Sequence, residues 1–154
     1  MSVTPLFARL PAKKPARSLL AVAAAFSALI PAPALAADSI SGRWVTQDKD
    51  AVVTISKCGA TTCGKISKFL VAPPDGVNQR DVNNPNAKLK KRKLLGLPVL
   101  FNFKEESSLW RGRIYDPVSG KSYRSVVRRK SANVLEVKGC LGPFCQTQIW
   151  RRAR

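Results

Sequence analysis

The chain has 154 residues, with 27 Lys and Arg against nine Asp and Glu, four cysteines and no histidine. Its length suits one ordinary domain, and the lack of histidine removes the commonest general base and a common zinc ligand. The formal charge of +18 predicts attraction to polyanions or simply a well-solvated face, and it says nothing about fold.

Residues 1–36 have the layout of an export leader. Arg9, Lys13, Lys14 and Arg17 precede an apolar run over 19–30, and Ala34, Leu35 and Ala36 supply the small-residue cleavage pattern. Pro31, Pro33 and the interrupting Ser27 make the run short for the roughly 20 residues that span a bilayer. Cleavage after Ala36 is expected, leaving 37–154 as a single domain with no membrane-spanning segment and a periplasmic or secreted location. Four basic residues leave with the leader and every acidic one stays, so 37–154 carries +14. Export makes nucleic acid an unexpected partner and points to an anionic envelope component or small ligand.

Beyond the leader, turn signals cut the chain into eight short candidate strands: 42–47, 51–57, 63–71, 98–104, 109–115, 122–129, 134–139 and 146–152. Polar connections of hairpin length at 48–50, 105–108 and 130–133 predict antiparallel neighbours. Eight such strands close into a small up-and-down barrel without exposed edges, with a sandwich as the alternative.

Cys58, Cys63, Cys140 and Cys145 all fall after the leader, where an even count in an exported chain predicts two disulfides. Loop-closure entropy favours a distant pairing, worth about 4 to 5 kcal/mol against about 2 for a six-residue loop. Geometry favours Cys58 with Cys63 and Cys140 with Cys145, because each pair brackets four residues that read as a hairpin loop. The local pairing is the preferred expectation. A metal site is not expected from this spacing, a redox-active pair is an alternative that the absence of C-x-x-C disfavours, and no cofactor is implied.

One interval resists the meander. Residues 72–96 open with Pro73, Pro74, Asp75 and Gly76, pass through Asn83, Asn84 and Pro85, and lead into a cationic run. A long basic loop or a short helix capped by Asn83 or Asn84 is expected there. Long connections in compact domains often carry function. Lys88, Lys90, Lys91, Arg92 and Lys93 are therefore the candidate anion-binding residues, the bland reading being that they keep a connection soluble.

The hairpin over 109–129 is the clearest backbone instruction. Trp110, Ile114, Tyr123 and Val127 fall on one alternating face, and Pro117 and Gly120 suit its turn. These four side chains are expected inside the barrel. Asp116 suits hydrogen bonding within that turn, and Asp75 and Asp81 are carboxylates that could pair across the long loop. No nucleophile and base stand in a recognisable arrangement, so no catalytic residue is assigned and enzyme activity is not expected.

Several segments taken together resemble a bacterial exported family, domain of unknown function 2147. They are Gly42-Arg43-Trp44, Cys58-Gly59 with Cys63-Gly64, Asp81-Val82-Asn83-Asn84-Pro85, Leu94-Leu95-Gly96-Leu97, Trp110 through Pro117, Gly120 through Tyr123, Gly139-Cys140, Cys145 and Trp150. The resemblance spans nearly all of 37–154. It implies a lipocalin-like barrel in a family without an established activity. The opening G-x-W is also similar to the first-strand motif of lipocalin-type barrels, implying that Trp44 closes one end beneath Arg151 or Arg152. The functional expectation is a non-catalytic binding module for an anionic or small envelope-associated ligand. The alternative is a structural or protein-interaction module whose interior is packed and ligand-free.

Overall fold

The computed structural model describes residues 37–154; the expected leader and its cleavage lie outside the described residues. Eight strands follow in chain order: β1 (Gly42–Val45), β2 (Ala51–Cys58), β3 (Thr61–Phe69), β4 (Pro98–Glu106), β5 (Leu109–Asp116), β6 (Lys121–Ser131), β7 (Val134–Leu141) and β8 (Phe144–Arg152). Each pairs antiparallel with its sequence neighbours and β1 also pairs with β8, closing the barrel. The architecture is all-β and up-and-down, not a sandwich.

Strict alternation of direction sends successive connections to opposite ends. The turns at 59–60, 107–108 and 132–133 share one end, the base, with both termini of the described chain. The connections at 46–50, 70–97, 117–120 and 142–143 share the other, the mouth.

The strands run further into the cysteine brackets than the sequence suggests. Thr61 and Thr62 join β3, and Leu141 and Phe144 form a ladder pair, so each turn has only two residues. Both disulfides are local, Cys58 with Cys63 and Cys140 with Cys145. Cys140 and Cys145 face each other in register, with Cα atoms 4.0 Å apart. Cys58 instead pairs with Thr61 and Cys63 with Ser56, making that bridge diagonal at 5.8 Å. The expected direct opposition fails there because the two-residue turn at 59–60 places Thr61, not Cys63, across from Cys58.

Apolar side chains fill the base half of the interior. Trp44, Phe103, Val127 and Leu135 are each at most 1% exposed there, Val53 and Leu100, equally buried, extend the core toward the mouth, and burial of a side chain of this size stabilises by roughly 1.5 to 3 kcal/mol. Trp110 opposes Val127 in this packed half, whereas Ile114 opposes Tyr123 nearer the mouth, where both are only half-buried. The four hairpin residues thus share the inward face.

The base is sealed by residues 37–41. The Trp44 indole N–H donates to the Ile40 carbonyl at 2.9 Å, the Trp110 indole to Asp38 at 3.1 Å, and Arg129 Nη1 to Ser39 at 2.8 Å. The β1–β8 seam is short, with two registered pairs, and Arg152 reinforces it. Its guanidinium lies 5.0 Å from the Trp44 ring centroid and donates to the Ser41 carbonyl at 3.1 Å. Such stacking contributes about 0.5 to 2 kcal/mol. Arg151 is exposed on the outer wall, opposite Val45.

Candidate ligand-binding cleft at the mouth

The segment 70–97 is built on the β5–β6 hairpin. Asp116 folds the tip of that hairpin: its carboxylate accepts from the Val118 and Ser119 amides, and its carbonyl accepts from Gly120. Asn83 Nδ2 then donates to the Pro117 carbonyl at 3.2 Å. Gly120 has φ +68° and no room for a side chain, since a Cβ would collide with the Asn83 carbonyl. Glycine alone satisfies both the left-handed backbone and this close approach.

Behind this seat lies a buried polar knot. Asp81 is 1% exposed. Its Oδ1 accepts from the Tyr115 hydroxyl at 2.6 Å, and its Oδ2 accepts from Asn84 Nδ2 at 3.0 Å and from Arg92 Nε and Nη2, each at 2.8 Å. Asn84 also donates to the Tyr115 oxygen at 2.9 Å, and the Arg92 guanidinium lies 5.0 Å from the Tyr115 ring centroid. A buried carboxylate is tolerable only with this degree of pairing. Burial first, and the adjoining Asp81 carboxylate second, raise the Tyr115 pKa above its usual 10.0, so the phenol stays a donor. Asp75 does not join Asp81; it is exposed at the start of a 3-10 turn, Gly76–Asn78.

The short helix considered for this segment does not form; residues 82–92 are a chain of turns. Asn84 Oδ1 accepts from the Asn86 amide at 2.9 Å and Asn86 Oδ1 from the Lys88 amide at 3.0 Å. These local bonds compete with helical ones, and Asn84 is committed to the knot rather than to a cap. The five candidate cations are separated by the same geometry. Arg92 turns inward, Lys93 donates to Asn78 Oδ1 at 2.9 Å, and Lys88, Lys90 and Lys91 are exposed.

Between this segment and β4–β6 runs an open cleft of about 790 Å³. Its lining includes Leu89, Arg92, Phe101, Arg113, Tyr115 and Lys121. Leu100 and Ile114 are opposed with Leu100 in the core, so their neighbours Phe101 and Arg113, also opposed, face outward and floor the cleft. Of the five cations singled out in the sequence only Arg92 lines it. Sequence reasoning misses Arg113 and Lys121 because alternation alone marks Arg113 as a wall residue; its registry with Phe101 emerges only once β4 pairs with β5. A smaller cavity of about 390 Å³ enters the barrel at the mouth, lined by Ile114, Tyr123, Val137, Gly139, Gln146 and Gln148 among others.

An eight-stranded antiparallel barrel with a plugged base and an indented mouth is a lipocalin-like architecture. One solved structure with this fold is a Helicobacter pylori protein, HP1028, described as belonging to the lipocalin family. It superposes with a TM-score of 0.64 at 23% identity, over 75% of this chain and 84% of that one. Residues 42–152 match the family described as "Uncharacterized protein conserved in bacteria (DUF2147)", and the chain belongs to that family. No curated protein matches its sequence.

Proposed function

We propose that this is an exported, non-catalytic binding module whose outer cleft takes a small anionic ligand with an apolar portion. The observation that carries this is the cleft itself: Arg113 and Lys121 supply positive charge beside the apolar surfaces of Phe101, Tyr115 and Leu89. Arg92 is already paired with Asp81, so Arg113 and Lys121 are the cations for the ligand. The leader pattern and the two disulfides support export. The non-catalytic reading is supported by the use of Asp81, the buried carboxylate of the site, in holding Arg92, Tyr115 and Asn84.

Titration with oleate, an anionic amphiphile, tests this by calorimetry alongside native mass spectrometry of the purified protein. One-to-one binding weakened about tenfold or more by Arg113→Gln with Lys121→Gln is expected, in line with losing one or two charge-assisted hydrogen bonds. Equal affinity in that variant would reject the cleft. Absence of any bound amphiphile would favour the second reading, a structural or protein-interaction module, which the densely filled base half of the barrel supports.

A further inference from the structure

We infer that the mouth of the barrel is a membrane-docking surface for a bilayer bearing anionic headgroups. Among the exposed large apolar side chains of the described residues, Ile149 sits on the wall and all the others belong to the connections and hairpin ends at the mouth. The most exposed are Val118, Phe144 and Leu141, at 83%, 81% and 71%. Val118 tips the β5–β6 hairpin, and Leu141 and Phe144 face each other across the two-residue end of β7–β8.

The β7–β8 tip is held ready. The Cys140–Cys145 bridge lies directly behind Leu141 and Phe144, and Arg124 Nη2 donates to the Gly142 carbonyl at 2.7 Å. Little ordering is therefore left to oppose insertion. Cations surround these tips. The segment 70–97 contains six basic and two acidic residues, Lys88, Lys90 and Lys91 among them are exposed, and Lys121 and Arg124 flank the two hairpins. Aspartates are present at this end too: Asp81 is buried against Arg92, Asp116 is engaged with turn amides and Asp50 accepts from the Thr46 hydroxyl, while the exposed Asp48 and Asp75 are outnumbered by the cations.

A bilayer fits this pattern better than a protein partner. The apolar groups are carried on separate hairpin tips, Val118 on one and Leu141 with Phe144 on the other at the rim of the smaller cavity, and such tips enter a fluid interface readily but offer no continuous patch for a rigid partner. Lysine stems beside them can lie along the lipid while the ammonium groups reach headgroup phosphates. Leu141 and Lys121 also border the cleft, but docking by the tips does not depend on a ligand there.

The test uses protein purified as the cell processes it, with Phe144→Trp as a local reporter; the natural tryptophans are all buried. Vesicles of phosphatidylcholine with phosphatidylglycerol should shift the reporter's emission to the blue and brominated acyl chains should quench it, while pure phosphatidylcholine does far less. Partition should fall as salt rises. In the natural background, Leu141→Ser with Phe144→Ser should lower partition by about tenfold or more, with near-ultraviolet dichroism unchanged and Lys57→Gln, an exposed cation at the base end of β2, as the neutral control. Unaltered emission from the Phe144→Trp reporter at saturating vesicle, or equal partition of the serine variant, overturns the inference. Self-association lost in the serine variant without any vesicle response would assign the tips to a second copy and overturn it equally.

Discussion

The Tyr115 hydroxyl donates to Asp81 Oδ1 at 2.6 Å, joining residues 34 apart in sequence. Tyr115 follows Ile114 on β5 and points away from the barrel interior, so this bond attaches the mouth segment to the outside of the wall. The same phenol floors the cleft. Fold and candidate site therefore share one hydrogen bond, and its loss should disturb both.

Replacing Asp81 by Asn keeps the shape but removes the charge that Arg92 pairs with. Arg92 retains some access to water, its side chain being 34% exposed, which moderates the penalty. A loss of about 2 to 3 kcal/mol is expected, measured by urea denaturation. Limited proteolysis should find new cleavage within 70–97 while the far-ultraviolet spectrum of the barrel persists.

Tyr115→Phe tests the same knot through pH. The native phenol has a raised pKa, so the folded state holds this proton more tightly than the unfolded chain does. The stability tied to it is present in full below pH 10 and drains away as pH rises through the native value. At pH 8 the variant should be less stable by about 1 to 2 kcal/mol. Above pH 10 the wild type should lose stability faster, and the gap between the two proteins should narrow. A gap constant across that range would show that the bond to Asp81 is not what couples the phenol to folding.

Gly112 tests the packing of the interior. A Cβ there would lie 2.6 Å from the Phe103 ring and 2.8 Å from the Phe101 carbonyl. Gly112→Ala should therefore cost about 1 to 3 kcal/mol, read from the thermal midpoint. Phe103→Leu in the same chain should recover only part of this, because the second contact is with backbone.

Much of the barrel is legible in the sequence because strand alternation and turn chemistry are local. Trp110, Ile114, Tyr123 and Val127 reveal their common face from spacing alone, and Pro117 and Gly120 mark the turn between them. Local pairing of the cysteines also follows from short brackets, although the diagonal geometry of Cys58 and Cys63 depends on the true turn length. The short helix is a different case, since capping preference and charge favour it after Asn83 or Asn84 and neither registers the competing bonds. Asn84 and Asn86 accept from nearby amides, while Asn84 also meets Tyr115 on a distant strand.

Eight strands, their meander, the long basic connection and its net positive charge can all be read from the chain, since each rests on neighbours a few residues apart. What that charge does is settled only by long-range packing. Among Lys88, Lys90, Lys91, Arg92 and Lys93, only Arg92 meets the buried carboxylate and the Tyr115 ring. Which cation turns inward depends on where β5 carries its phenol and where the β5–β6 tip seats Asn83. Desolvating a charge is tolerable only where such partners already converge, and here they are brought together from Asp81 and from Tyr115, 34 residues further along the chain.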